Sequence, residues 1–384
     1  MHQTLPNSSR SDSNDSHKHG DETKISLKAK VLGFFVFTAM VVVTGFYLSP
    51  NADFEQGFIT AKVVQNMGET VSNNDLFSET TFKYKVELSN KQLVDAELVV
   101  VGDQLKNSFK VGDKVVINMI ETADSSDFQI VDKYRLNVLA LLFFILIIAA
   151  CVFAGWNAIF SLIGLGFSVF VLIFFIVKGI LIGHNPLLIT IMGSVLIATV
   201  SVYLGHGFNK KTTIAIAGIV STLTFVGLLS ILFVNLGGFL GMGSEEAFFL
   251  QLDSGNGINL KGILLAGIII GTLGVLDDIT TAQVAVVNEL RKANPKIQDK
   301  DLYASAIRVG KEHITALVNT LVLAYAGASM PLFILFVQDG IQPIWSLING
   351  EFIAEEILRT LAGSIALVLS VPLTTWLAVK LLKK

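Results

Sequence analysis

Two adjacent acids, Asp277 and Asp278, lie in an otherwise apolar stretch. The segment runs from Lys261 through a glycine-rich apolar run to the pair, then stays largely apolar to Val287. A helix rises about 1.5 Å per residue, which puts Asp277 roughly 24 Å past Lys261. The hydrocarbon core of a bilayer is about 30 Å thick. With Lys261 at the outer face, both carboxylates fall in the inner half of the membrane. A charged, unpaired carboxylate there costs several kcal/mol, so such residues usually serve a function, commonly in proton or ion movement. Two neighbouring carboxylates also repel when both ionise, which favours keeping a proton on one of them. The bland alternative ends the span at Leu276 and lays the following residues along the membrane surface, so that the pair marks a helix end.

Polar and small residues accompany the pair at helical spacing. Asp278, Thr281, Ala282, Ala285 and Glu289 share one face, and Asp277 adds Thr280, Thr281 and Asn288 on the next. A later span carries His313, Ala316, Thr320, Ala324 and Gly327 on one face, with Asn319 and Tyr325 nearby. Thr280, Thr281, Asn319 and Thr320 are the expected hydrogen-bonding partners of the carboxylates. Elsewhere, small residues and hydroxyls at the same spacing read as helix packing. Asp277 and Asp278 are therefore the candidate proton or cation relay, supported by Thr280, Thr281, Glu289, His313, Asn319, Thr320 and Tyr325. No enzyme site is expected. An intramembrane aspartyl hydrolase needs two Asp facing each other from different helices, whereas both lie on one here. H-E-x-x-H, G-x-S-x-G and P-loop motifs are absent from the sequence. Neither a metal nor a cofactor is expected, because His2, His17 and His19 sit in a tail with no preset geometry.

The elements that must position these residues are membrane spans. The 384-residue chain is 52% hydrophobic and 15% charged, against roughly 25% charged for soluble domains. Mean hydropathy is +0.65. The charge deficit comes from long uncharged runs, the signature of a polytopic membrane protein in the lipid bilayer. A net charge of −3 gives no basic field for nucleic acid. The one cysteine, Cys151, lies in an apolar run and reads as packing. Predicted spans are Val31–Leu48, Leu136–Phe153, Trp156–Val177, Leu187–Leu204, Thr212–Leu236, Gly262–Val287, Ile314–Val337 and Glu356–Val379, about eight transmembrane helices. Residues 1–30 read as a disordered cytoplasmic tail and 31–48 as the first helix. Residues 237–260 read as a Gly/Ser loop with a short helix, and 136–384 as the multi-span membrane domain.

Residues 51–132 differ in kind. Short alternating runs (Phe58–Val64, Thr81–Leu88, Leu93–Val101, Lys114–Met119, Phe128–Val131) are separated by turn residues such as Ser72-Asn73-Asn74 and Val111-Gly112-Asp113. They predict a small all-β, OB- or sandwich-like module inserted after the first helix. Phe77, Phe82, Tyr84, Phe109 and Phe128 could stack on a ligand, although the alternation places several of them in the core. Lysines and arginines gather in the tail, at Lys210 and Lys211, between Arg291 and Lys311, and at the C-terminal end. By the positive-inside rule both termini are cytoplasmic and the β module is extracytoplasmic.

The stretch Gly271-TLGVLDDITTAQVAVVNEL-Arg291, followed by Val309-GKEHITALVNTLVLAYAGA-Ser329, resembles the YibE/F-like family of bacterial membrane proteins, with Asn319-TLVLA-Tyr325 the most specific part. The resemblance spans about residues 30–380. It implies a multi-pass protein of the bacterial cytoplasmic membrane, often with a shorter companion that lacks the extra module, and it supplies no established activity. Where the family commonly shows one Asp, this chain has two. A looser similarity is to half of a resistance-nodulation-division exporter, in which paired aspartates relay protons. Here Glu289 comes about one turn late and there are two extra spans. The expected function is a permease or export component with the Asp pair as its relay. The alternative is a non-transporting sensor or assembly scaffold whose external module binds a partner.

Overall fold

The computed structural model describes residues 57–74, 77–101, 109–122, 125–253, 257–339 and 343–382. The tail and the predicted span 31–48 lie outside them.

Five strands form the first unit: β1 (Phe58–Asn74), β2 (Phe77–Leu88), β3 (Leu93–Val101), β4 (Lys114–Thr122) and β5 (Ser125–Lys133). The sequence left barrel and sandwich open. The strands close into a barrel in the order β1-β2-β3-β5-β4, with β3 and β5 parallel at Ala96/Phe128 and Glu97/Gln129. Every other pairing is antiparallel. Inward positions follow the alternation: Ala61, Val63, Tyr84, Val86, Ala96, Val115 and Ile117 are buried. Ser72–Asn74, predicted as a turn, instead continue β1 and pair with Phe77–Glu79. Tyr84 is fully buried, and its hydroxyl accepts a hydrogen bond from the Phe109 N–H at 3.0 Å. Phe82 is also buried, and Phe109 and Phe128 pack against the core, so these four aromatics serve the barrel interior.

The second unit is helical. Helix α1 (Leu136–Ala154) is followed by α2 (Trp156–Val171), which continues through a π-helical turn (Leu172–Val177) into Lys178–Leu181. Then come α3 (Pro186–His206), α4 (Lys210–Leu236), α5 (Glu245–Asp253), α6 (Leu260–Ala293), α7 (Asp299–Ala328), α8 (Met330–Asp339), α9 (Ile344–Asn349) and α10 (Glu351–Leu381). Asparagine N-caps start three of them. Asn185 accepts from Leu187 and Leu188 ahead of a first-turn Pro186, Asn209 from Thr212, and Asn259 from Gly262. Six helical stretches are long and apolar enough to cross a membrane: α1, the α2 stretch from Ala158 to Leu181, α3, α4, α6 and α10. Six of the predicted spans are thus single helices. The run Ile314–Val337, predicted as one span, is divided at Ser329 between α7 and α8. Pro331 is the cause, because it has no N–H to continue the ladder.

Helix α6 is the hub, packed by α3, α4, α7 and α10. Its buried side runs from Leu264 and Leu265 through Ile268, Ile269, Leu276 and Val284 to Val287. Close approaches need small residues. A Cβ on Gly218 of α4 would meet Thr374 Oγ1 of α10 at 2.5 Å. Serine and threonine hydroxyls were expected to bond between helices, but most turn back on their own helix. Thr222 donates to the Gly218 carbonyl, Thr272 to Ile268 and Thr320 to Ala316. On a helix the i−4 carbonyl is the acceptor nearest a serine or threonine hydroxyl.

Candidate functional site

Helix α6 is continuous over 34 residues, and the Asp pair lies at its midpoint. The helix does not end at Leu276, as the bland alternative had it. The backbone stays helical through the pair for four further turns, because Val284 and Val287 have a core of their own to enter. Ile214, Ala215, Leu302, Ala306, Ala378 and Val379 form that core. Arg291 pins its C-terminal end. The guanidinium donates to the carbonyls of Val379 and Leu382 at the end of α10 and pairs with Asp299 at the start of α7.

The two acids occupy different surroundings. Asp277 is half-buried, Asp278 is exposed, and Asp277 Oδ1 is buried with no hydrogen-bond donor among the described residues. The fields of His206, the last residue of α3, and of Asp278 reach Asp277. Thr280 and Thr281 do not bond the carboxylates as expected. Their hydroxyls donate to backbone carbonyls, Thr280 to Asp277 at 3.2 Å and Thr281 to Asp277 at 2.9 Å and Asp278 at 3.1 Å. Short hydroxyl side chains on the same helix reach the preceding turn before they reach a side chain. Of the other expected partners, Glu289 is exposed and binds Lys292 and Asn288. His313, Asn319 and Thr320 sit on the exposed side of α7. Tyr325 does come to α6, where its hydroxyl occupies the place that a Cβ on Gly271 would take. The structure therefore gathers Asp277, Asp278 and Tyr325 along one helix and leaves His313, Asn319 and Thr320 outside.

Below the pair, the 2%-exposed Gln283 holds three helices together. Its Nε2 donates to the Ala306 carbonyl of α7 at 3.0 Å and to Thr375 Oγ1 of α10 at 2.7 Å. Thr375 passes the bond on to the Val371 carbonyl at 2.6 Å. Gly310 makes this possible, since a Cβ there would meet Gln283 Oε1 at 2.9 Å.

Sequence reasoning missed a second polar cluster, at the opposite end of the bundle. Glu351 Oε1 accepts the backbone N–H groups of Leu240, Gly241 and Met242 at 2.5, 3.0 and 3.5 Å. Glu355, 5% exposed, accepts from Gly243 at 3.0 Å. Four successive N–H groups of a glycine-rich loop thus hold two carboxylates one helical turn apart. Gly241 adopts φ 84°, and a Cβ on it would run into the Leu260 backbone, so the turn requires glycine. In the sequence, Glu351 and Glu355 fall just outside the predicted span, which begins at Glu356. Their partners lie more than a hundred residues away, and no local pattern announces them.

A hub helix carrying ionisable groups, walled by long apolar helices, defines a polytopic α-helical membrane protein. Residues 142–384 match the family described as YibE/F-like protein, and the chain belongs to that family. The match begins inside α1, so the β-barrel lies before it. No curated protein and no solved structure matches the chain.

Proposed function

We propose that this chain is a permease or export component of the bacterial cytoplasmic membrane, with Asp277 as its proton- or cation-carrying group and Asp278 beside it. The observation that carries this is the buried, donorless oxygen of Asp277 at the midpoint of the hub helix. A buried carboxylate oxygen with no donor is costly as an anion, and a group that takes up and releases a proton fits that setting. The exposed Asp278 then gives the site its way to solvent. Asp277 and Tyr325 lie within the bundle, and Gln283 fixes the helices around them. The site is not an enzyme centre. Both termini face the cytoplasm and the OB-like barrel faces outward, as the lysine and arginine distribution indicates. A shorter family companion is a candidate partner for the barrel or the bundle. The test is proton flux in proteoliposomes under an imposed pH gradient. Wild-type protein should carry flux above empty vesicles, and the Asp277→Asn/Asp278→Asn protein should not. Equal flux from both would return the chain to the sensor or scaffold reading.

A further inference from the structure

Helix α10 carries an ion pair within its first three turns. Arg359 Nη1 donates to Glu356 Oε1, and both side chains are about one quarter exposed, at 25% and 24%. Arg359 lies eight residues after Glu351, about 12 Å along the helix. The predicted span begins at Glu356, so the pair lies in its first turn. Ionisable side chains within a span tend to face the bundle interior and to mark ion pathways. Here the pair faces α6. A Cβ on Gly267 would lie 3.9 Å from Arg359 Nε and 4.0 Å from Nη2. Arg359 Nε is buried and has no acceptor among the described residues, so the guanidinium's hydrogen-bonding capacity is not used up by Glu356.

Gly267, Gly271, Gly274 and Asp278 recur at four, three and four residues, which places them on one face of α6. Along that face, Arg359 covers Gly267 and the Tyr325 hydroxyl covers Gly271. Space is open at Gly274, where a Cβ would have nothing within 4 Å. The Asp pair follows. From Gly271 to Asp277 the axial distance is about 9 Å. Polar groups therefore mark this face of α6 from Glu356 to Asp277, and the face is exposed at Gly274 and Asp278.

We infer that Glu356, Arg359 and Tyr325 form the outer half of the proton path whose inner end is Asp277. This rests on the relay reading of the Asp pair. A proton arriving from the outer side binds a carboxylate oxygen of Glu356 and neutralises it. Arg359 keeps all of its protons, so its positive charge is no longer balanced and drives the proton inward. Tyr325 accepts a proton on its oxygen as it releases its own, leaving its net charge unchanged. The proton then crosses the roughly 9 Å to Asp277 by way of water admitted at the exposed Gly274 and binds the Asp277 carboxylate, and Glu356 recovers its charge and its bond to Arg359. Among the described residues, the ionisable groups around Glu356 are Arg359, Glu355 and Glu351 on its own helix and Tyr325 on α7, while α6 presents Gly267 and Gly271. Glu351 and Glu355 are engaged by the loop N–H groups of residues 240–243.

The test uses the full chain in proteoliposomes, with flux started by an acid pulse and melting temperature read on the same preparations. Glu356→Gln still accepts from Arg359 but carries no proton, and its flux should fall at least about tenfold. Glu356→Asp keeps a titratable group on a shorter arm and should retain most of the flux. Tyr325→Phe should lower flux several-fold and flatten its dependence on outer pH. Wild-type flux in Glu356→Gln, with flux abolished in Asp277→Asn, would overturn this inference and leave the Asp site standing. Wild-type flux in Asp277→Asn would remove the relay reading and this inference with it. If Glu356→Asp and Glu356→Gln lose flux equally, the ion pair is structural and the inference is wrong. Should Glu356→Gln melt lower than wild type, Tyr325→Phe decides: unaltered flux and pH profile would overturn the path.

Discussion

Gln283 and Asp277 stand six residues apart on one helix and show how differently a buried polar group can be treated. Gln283 spends its amide on two neighbouring helices, and Asp277 has a buried oxygen with no donor among the described residues. The first is a structural solution, and the second is what the proposed relay requires. Replacing Gln283 with Leu removes both cross-helix bonds and should cost about 1–3 kcal/mol. It should appear as a lower melting temperature in detergent. An unchanged melting temperature would mean that Gly310 and Thr375 repack around the leucine. The Asp pair itself was legible in the sequence, because two acids in an apolar run stand out at any register. The partners assigned to it were not. Helical spacing tells which residues share a face, and it does not tell whether a threonine points along the helix or away from it. Tyr325 was found by the same spacing on α7, but its contact with Gly271 depends on how two helices cross. Glu356 and Arg359 were invisible for that reason as well.

At the scale of elements, composition carries most of the information and breaks down where apolar character fades. The strands and the six single-helix spans follow from alternation and from long apolar runs. Helix α7 does not, because its first half, Asp299–His313, is polar and the helix is held by Leu302, Ala306 and Gly310 against α6 and α10. The β-barrel has its own buried core, and residues from about 53 to 135 should fold as a soluble domain. Tyr84→Phe strands the Phe109 N–H and should cost that domain about 1–3 kcal/mol, read by denaturant unfolding. The domain should also lose stability in acid. Lys133 and the Lys110 N–H hold the Asp113 carboxyl below the usual carboxylate range. A group held low in the folded state contributes stability above its unfolded value, and that contribution disappears as pH falls through the folded value. Asp113→Asn should flatten the acid limb of the unfolding curve. A limb as steep as that of wild type would assign the effect elsewhere, with Asp132 beside Arg135 the next candidate.

For the whole molecule, orientation decides which polar cluster meets which compartment. With the barrel outside, the Glu351/Glu355 clamp and the Glu356–Arg359 pair lie toward the outer face, and the Asp pair and Arg291 toward the inner one. A Cys151→Ala protein with a single cysteine at Val111 should react with an impermeant thiol reagent in intact cells. One with its cysteine at Lys296 should react only after lysis. Both positions are exposed. The reverse pattern would invert the path. Charge asymmetry is the sequence's argument for this orientation, whereas the packing of α10 onto α6 needed the fold.

The measurement closest to the central claim compares Asp277→Asn and Asp278→Asn singly, with pH-driven flux and melting temperature taken on the same preparation. Removing charge from a buried site is not itself destabilising, so both proteins should melt as wild type does. Asp277→Asn should then carry no flux above empty vesicles. Asp278→Asn, exposed at the mouth of the site, should retain part of the flux. An Asp277→Asn protein with wild-type flux would contradict the account, and one that has lost both its flux and its thermal stability would make Asp277 a structural residue.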